Sequence, residues 1–136
     1  MNPAVHTSSA EIEFEVTPAM TASLDGREIH KVYSTFWLAY HAEVAARRAI
    51  EPYFEEGENA VGGEVCVRHE AMAAVGDHIR VRAVVTEVKE RKIVCSIEAF
   101  SHRRRIATGR QVQIVLAQQD IDRLVDDAYG RKNRMV

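Results

Sequence analysis

Phe36-Trp37-Leu38-Ala39-Tyr40-His41-Ala42-Glu43-Val44-Ala45-Ala46-Arg47-Arg48-Ala49-Ile50 contains neither glycine nor proline, and a third of it is alanine. Alanine gives up no side-chain entropy on entering a helix, so the stretch predicts one long helix. Leu38, Ala42, Ala45 and Ala49 step by four, three and four, which puts them on one face. Small residues on that face let the helix backbone lie close against a sheet. Ser34 or Thr35 can cap the start, because a hydroxyl there accepts from the free N–H groups of the first turn. Pro52 ends the helix, and Gly57 marks the turn that follows. Between Phe36 and Ala46 there is one carboxylate, Glu43. A lone acid on an otherwise uncharged helical stretch is a candidate site residue.

Outward from this helix the pattern changes to period two. Glu11-Ile12-Glu13-Phe14-Glu15-Val16 alternates acid and apolar residue, the mark of a half-buried strand, and Thr17-Pro18 stops it. Residues 19–32 have no clean period and read as a mobile connection with a short helical piece and a turn at Asp25-Gly26. Downstream, Gly63-Glu64-Val65-Cys66-Val67-Arg68-His69-Glu70 reads as a strand with Val65, Val67 and His69 inward. An imidazole at the end of an apolar file is poorly solvated and needs a partner. Two further strands have inward files Ile79, Val81, Ala83, Val85 and Ile93, Cys95, Ile97, Ala99. A last strand runs from Ile106 to Leu116, with Gly109 as a bulge position. Gln118 to Tyr129 reads as a surface helix with Ile121, Leu124 and Val125 on its apolar side. Strand, helix, then four strands joined by short turns gives an α+β fold, one long central helix wrapped by a curled antiparallel sheet. The whole of 1–136 is read as a single domain, with residues 1–9 and 130–136 as loose termini. Such a sheet has more apolar face than one helix covers, and an open edge, so a homodimer is expected, with a tetramer as a further pairing.

Composition narrows the partners. The chain has 136 residues and a net charge of −2, so no overall field points to nucleic acid or an anionic membrane. No apolar run approaches the roughly 20 residues of a membrane-spanning helix, and residues 1–9 lack the basic and apolar regions of a signal peptide. A cytoplasmic protein is expected. Cys66 and Cys95 both fall inside strand patterns and are read as reduced, buried thiols. Neither has the companions of a zinc site, so no metal is expected.

Thr35, Glu43, Ala49-Ile50-Glu51-Pro52-Tyr53-Phe54-Glu55, Gly57-Glu58, Gly62 and Cys66-Val67-Arg68-His69 together resemble the core signature of the fluoroacetyl-CoA thioesterase-like hotdog family. The likeness runs from about Tyr33 to Leu116. It implies a hotdog fold, hydrolysis of an acyl-CoA thioester and an acyl site at a subunit interface, with coenzyme A as part of the substrate and no resident cofactor. Carried over by position, Thr35, Glu43 and His69 match the family's catalytic threonine, glutamate and histidine. Gly62 matches the glycine that lines the thioester carbonyl. Gly63, Trp37 and Gln113 are the further candidates for substrate contact. Glutamate can act as general base or attack the carbonyl itself. Histidine can orient it or protonate the departing thiolate, and a threonine hydroxyl can hold either group. Two departures stand out. The family's arginine on the final strand falls at Gln113, with Arg110 nearby on the other face. Gly26-Arg27-Glu28-Ile29 stands where the fluoroacetyl-specific members carry aromatic lid residues. A less selective acyl-CoA thioesterase is therefore expected.

Plainer readings compete. Thr35 is also an ordinary helix cap, Glu43 an ordinary solvated acid, and an inward histidine is often a satisfied structural residue. Gly62 and Gly63 also serve a turn into the strand. Trp37 and Tyr40 suit packing, and His41 and His78 are read as surface residues. His102-Arg103-Arg104-Arg105 can bind phosphate, but a charged hairpin tip is more often only solvated. Two other functions fit the fold: a non-catalytic acyl-CoA or acyl-carrier binding module, which Gln113 in place of arginine keeps open, and an enoyl-CoA hydratase, which only fold analogy supports.

Overall fold

The structure is a computed structural model that describes the backbone of residues 1–102 and 104–134, with side chains to residue 130 except Arg103. Its elements are β1 (Ser9–Glu15), β2 (Thr21–Leu24), β3 (Arg27–Tyr33), α1 (Thr35–Ile50), β4 (Glu58–His69), β5 (His78–Lys89), β6 (Lys92–Ser101), β7 (Arg104–Ala117) and α2 (Gln118–Arg134). Five strands form one antiparallel sheet in the order β1-β5-β6-β7-β4, and β2-β3 form a separate hairpin. This is the α+β arrangement expected from the sequence.

The helix and the sheet centre follow the apolar spacing. Leu38, Ala42, Ala45, Ala46 and Ala49 are fully buried on α1. Opposite them Ile79, Val81, Ala83 and Val85 of β5 and Ile93, Cys95, Ile97 and Ala99 of β6 are buried. Each large aliphatic side chain so removed from water contributes about 1.5–3 kcal/mol. Ser34 supplies the cap: its Oγ accepts from the Trp37 amide at 3.0 Å. Thr35 is therefore the first helical residue, with its hydroxyl free for other work.

Several expectations are corrected. Residues 19–32 are a β-hairpin after a short 3-10 turn at Pro18–Met20, with Asp25 and Gly26 at φ +55° and +76°. An Asp-Gly pair with positive φ closes a two-residue hairpin, and most of β3 is exposed on both faces, which removes the alternation that marks a strand. Residues 1–9 are packed rather than loose. A 3-10 turn at Pro3–Thr7 buries Val5 completely, and Ser8 Oγ donates to the Ala49 carbonyl. At the other end α2 continues past Tyr129 to Arg134. Leu124 and Val125 on its apolar side are exposed. Residues 135 and 136 of the expected loose end, and Arg103 of the basic turn, lie outside the described residues. Arg104 and Arg105 are in β7 and are engaged by the Met72 carbonyl and by Glu70. Cys66 is exposed rather than buried, because it lies on the outer face of an edge strand. Cys95 is buried, and burial pushes its thiol up to about 11.

The bulge is not at Gly109. That residue pairs in register with both Ile97 and Val67, and a β-carbon there would collide with the Cys66 carbonyl and crowd Val67. Glycine lets β7 and β4 approach at that point. The bulge lies on β4 between Gly62 and Glu64 and takes up Gly63. It resets the alternation, so Ala60 and Gly62 before it and Val65, Val67 and His69 after it all face α1. The inward placement expected for Val65, Val67 and His69 is the one observed.

Candidate active site

Strand β4 is one edge of the sheet and has candidate site residues at both ends. Between them it is bare: Val65 faces the helix side yet is 39% exposed, because no element among the described residues covers it.

At the C-terminal end, Thr35 Oγ1 lies 3.0 Å from His69 Nδ1. Ser34 takes the capping role, and this leaves the Thr35 hydroxyl for the imidazole. Burial lowers the His69 pKa, opposed by the Ala71 backbone, so the ring is neutral at pH 7. Its Nε2 is buried without a partner among the described residues. A cavity of about 320 Å³ opens here, lined by Val32, Tyr33, Thr35, His69, Glu70 and Met72. A neutral imidazole with one nitrogen held and the other enclosed can accept or deliver a proton.

At the N-terminal end, Glu43 projects from the exposed flank of α1 into a cavity of about 420 Å³ with Tyr40, Gly62, Gln111 and Gln113. Gly62 leaves the opening free. A β-carbon there would lie 3.7 Å from Glu43 Oε1 and 4.0 Å from Gln111 Nε2. Carboxylate, glycine backbone and amide therefore surround one small volume. Gln111 and Gln113 are 2% and 4% exposed, and Gln111 Oε1 and Gln113 Nε2 have no hydrogen-bond partner among the described residues. Leaving such an atom unpaired costs about 1–3 kcal/mol each, which stability alone does not justify. Arg110 points the other way, to Glu64 at 3.3 Å, so Gln113 is the group that occupies the inward position.

The chain thus brings Thr35 to His69, and Gly62 to Glu43, Gln111 and Gln113, but keeps the two groups apart. Eight helical residues separate Thr35 from Glu43, about 12 Å along the axis. Gly62 and His69 stand about 20 Å apart along β4. Gly63 meets Ile114 on the other face and does not line the Glu43 cavity. Trp37 is half-buried in an aromatic cluster, 5.4 Å from Tyr40 and 5.7 Å from His41.

His41 is not a surface residue. It is 7% exposed, stacked on Phe14 at 3.8 Å, with Nδ1 2.6 Å from the Tyr33 hydroxyl. Burial lowers its pKa to about 4, and burial raises that of Tyr33. The spacing Leu38, His41, Ala45 puts it on the buried face, a signal present in the sequence. Gln111 was equally accessible, since it alternates with Gly109 and Gln113 on the inward file of β7. Among the described residues no group of His, Cys, Asp or Glu is arranged to hold a metal, and no helix is long and apolar enough to cross a membrane.

A model of the fluoroacetyl-CoA-specific thioesterase family matches residues 16–119. The fluoroacetyl-CoA thioesterase of Streptantibioticus cattleyicolor is 29% identical over 89 residues, which are 65% of this chain and 64% of that protein, so the match spans a little under two thirds of the relative. Among solved structures, a Thermus thermophilus hypothetical protein described as a thioesterase superfamily member is 32% identical, with a TM-score of 0.94 over 98% of this chain and 99% of the other. The fluoroacetyl-CoA thioesterase FlK gives a TM-score of 0.80 at 25% identity, covering 89% of this chain and 94% of that one. A hot-dog-like protein from Thermanaerovibrio acidaminovorans, 21% identical with a TM-score of 0.83 over 94% and 93%, shares the fold.

Proposed function

This chain belongs to the fluoroacetyl-CoA-specific thioesterase family and carries its hotdog fold, and on that basis we propose that it hydrolyses an acyl-CoA thioester to the free acid and coenzyme A. Water oxygen bonds to the acyl carbon, the C–S bond breaks, and the thiolate takes a proton. Glu43 activates the water or attacks the carbonyl first. Gly62 lets the carbonyl come against the backbone, and the proton given up by the water passes to the sulfur through His69, which Thr35 holds. Coenzyme A enters as part of the substrate. The solved FlK variant with fluoroacetate and coenzyme A supports that substrate class. Gly26-Arg27-Glu28-Ile29 is exposed and carries no aromatic side chain, which favours a broader acyl range than fluoroacetyl.

The observation that carries the reading is the division of the chemistry between the two ends of a bare edge strand. We take the working form to be a cytoplasmic homodimer in which β4 of one protomer runs antiparallel to β4 of its partner. A two-fold axis near the middle of β4 then brings the Glu43 end of each chain to the Thr35–His69 end of the other. Each site needs both chains, and the exposed carboxylate becomes enclosed.

The test is thiol release from short and medium acyl-CoAs. Glu43→Ala is expected to lower kcat/KM about 10³-fold and His69→Ala about 10²-fold. Rates unchanged in both variants would remove the assignment. Tight acyl-CoA binding without turnover in the wild type would make the chain a binding module, the reading that Gln113 in place of arginine keeps open.

A further inference from the structure

Two neutral amides floor the Glu43 cavity where a pocket for a plain hydrocarbon would carry valine or isoleucine. Gln111 and Gln113 are two residues apart on one strand, so both side chains point to the helix side beside Gly62. Each amide carries an acceptor and a donor; Gln111 Oε1 and Gln113 Nε2 are enclosed without partners, and Gln111 Nε2 lies on the Gly62 side. Side by side, an acceptor and a donor complement a group that does both. A hydroxyl donates one hydrogen bond and accepts others. An alkyl chain leaves both amide atoms unpaired, and a carboxylate brings acceptors only, into a cavity that already holds Glu43.

We infer that Gln111 and Gln113 form a specificity pair for a hydroxylated acyl group, its hydroxyl donating to one amide and accepting from the other. The preferred substrates are then short hydroxyacyl-CoA thioesters. This deepens the hydrolase reading and rests on it. Gln111 Nε2 and Glu43 Oε1 both lie beside Gly62, so an acyl group held by the pair sits next to the carboxylate. Specificity of this kind is strong when a site is built to bond a hydroxyl, because the analogue without it leaves buried partners empty.

Steady-state hydrolysis of lactoyl-CoA against propionyl-CoA, and of 3-hydroxybutyryl-CoA against butyryl-CoA, tests it with substrates that differ by one oxygen. At least one hydroxylated member should show kcat/KM about tenfold or more above its partner. Gln113→Leu and Gln111→Leu, checked for folding by circular dichroism, should each bring that ratio to about one or below. Equal or inverted wild-type ratios in both pairs overturn the inference while leaving the hydrolase intact. If no thioester turns over, the hydrolase reading fails instead. Calorimetric affinities for the same four esters then decide: tighter binding of a hydroxylated member supports the pair, and equal binding overturns it.

Discussion

Strands β6 and β4 alternate in the same way and end in opposite states. On β6, Ile93, Cys95, Ile97 and Ala99 face α1 and are buried to 1% exposure or less. On β4, Val65, Val67 and His69 face the same side, yet Val65 is exposed and Val67 and His69 are half-covered. Alternation decides which way a side chain points, but coverage depends on what lies above it. For β6 the chain provides its own cover in α1. For β4 the described residues provide cover only at the two ends, and those ends hold the candidate site residues.

The largest contrast comes from placing a charge on each strand. Ile97→Arg buries an unpaired guanidinium in the core and should abolish soluble folded protein. Val65→Arg should leave a folded monomer with a melting temperature within a few degrees of wild type, and lower thioester hydrolysis at least about 100-fold by blocking the pairing. Sedimentation and thiol release measured together decide it, and a fully active Val65→Arg dimer would erase the contrast between the strands.

Gly109 joins the two regions, because it lies between β6 and β4. Gly109→Ala should destabilise by about 2–4 kcal/mol in urea unfolding, since the new carbon meets backbone on β4 rather than a flexible side chain. A change below about 0.5 kcal/mol would mean that β4 moves aside freely.

The covered side also has a pH signature. His41 is neutral in the fold with a pKa of about 4, against about 6.5 when unfolded. The unfolded chain therefore binds the proton first as pH falls. This contribution is fully present above pH 6.5 and is lost between 6.5 and 4, on the order of 2–3 kcal/mol in all. Urea midpoints from pH 7.5 to 4 should show that slope, and His41→Gln should flatten it. A parallel slope in the variant would place the proton elsewhere.

The smallest effect is a reactivity difference. Cys66 should be alkylated in the native protein, whereas Cys95, with its thiol raised to about 11, should react only after unfolding. Mass spectrometry of each peptide reads this directly.

Much of this was legible in the residues. The Ala42, Ala45, Ala49 face, the inward files of β5 and β6 and the inward side of His69 follow from spacing, whereas the family signature left open whether Thr35 holds His69 or Glu43. The β2–β3 hairpin was not legible, because strands exposed on both faces show no period. Burial of Val5 depends on chain-distant partners, because its 3-10 turn packs against β5. His41 was missed although its spacing from Leu38 and Ala45 marks the covered face, because composition favours a surface histidine. The Gly63 bulge was also missed: a glycine pair signals a turn as readily as a bulge, and only the β7 register tells them apart. For the same reason no spacing along one chain could show that Glu43 and His69 stand at opposite ends of β4.

Mixing two inactive variants tests the shared site most directly. Glu43→Ala and His69→Ala homodimers, unfolded together and refolded at equal concentration, should give mixed dimers in which one of two sites is intact. Thiol release should then return to about one quarter of the wild-type value, as random pairing makes half the dimers mixed. Native mass spectrometry that shows mixed dimers, with activity no higher than that of either parent, would contradict a site built from two chains.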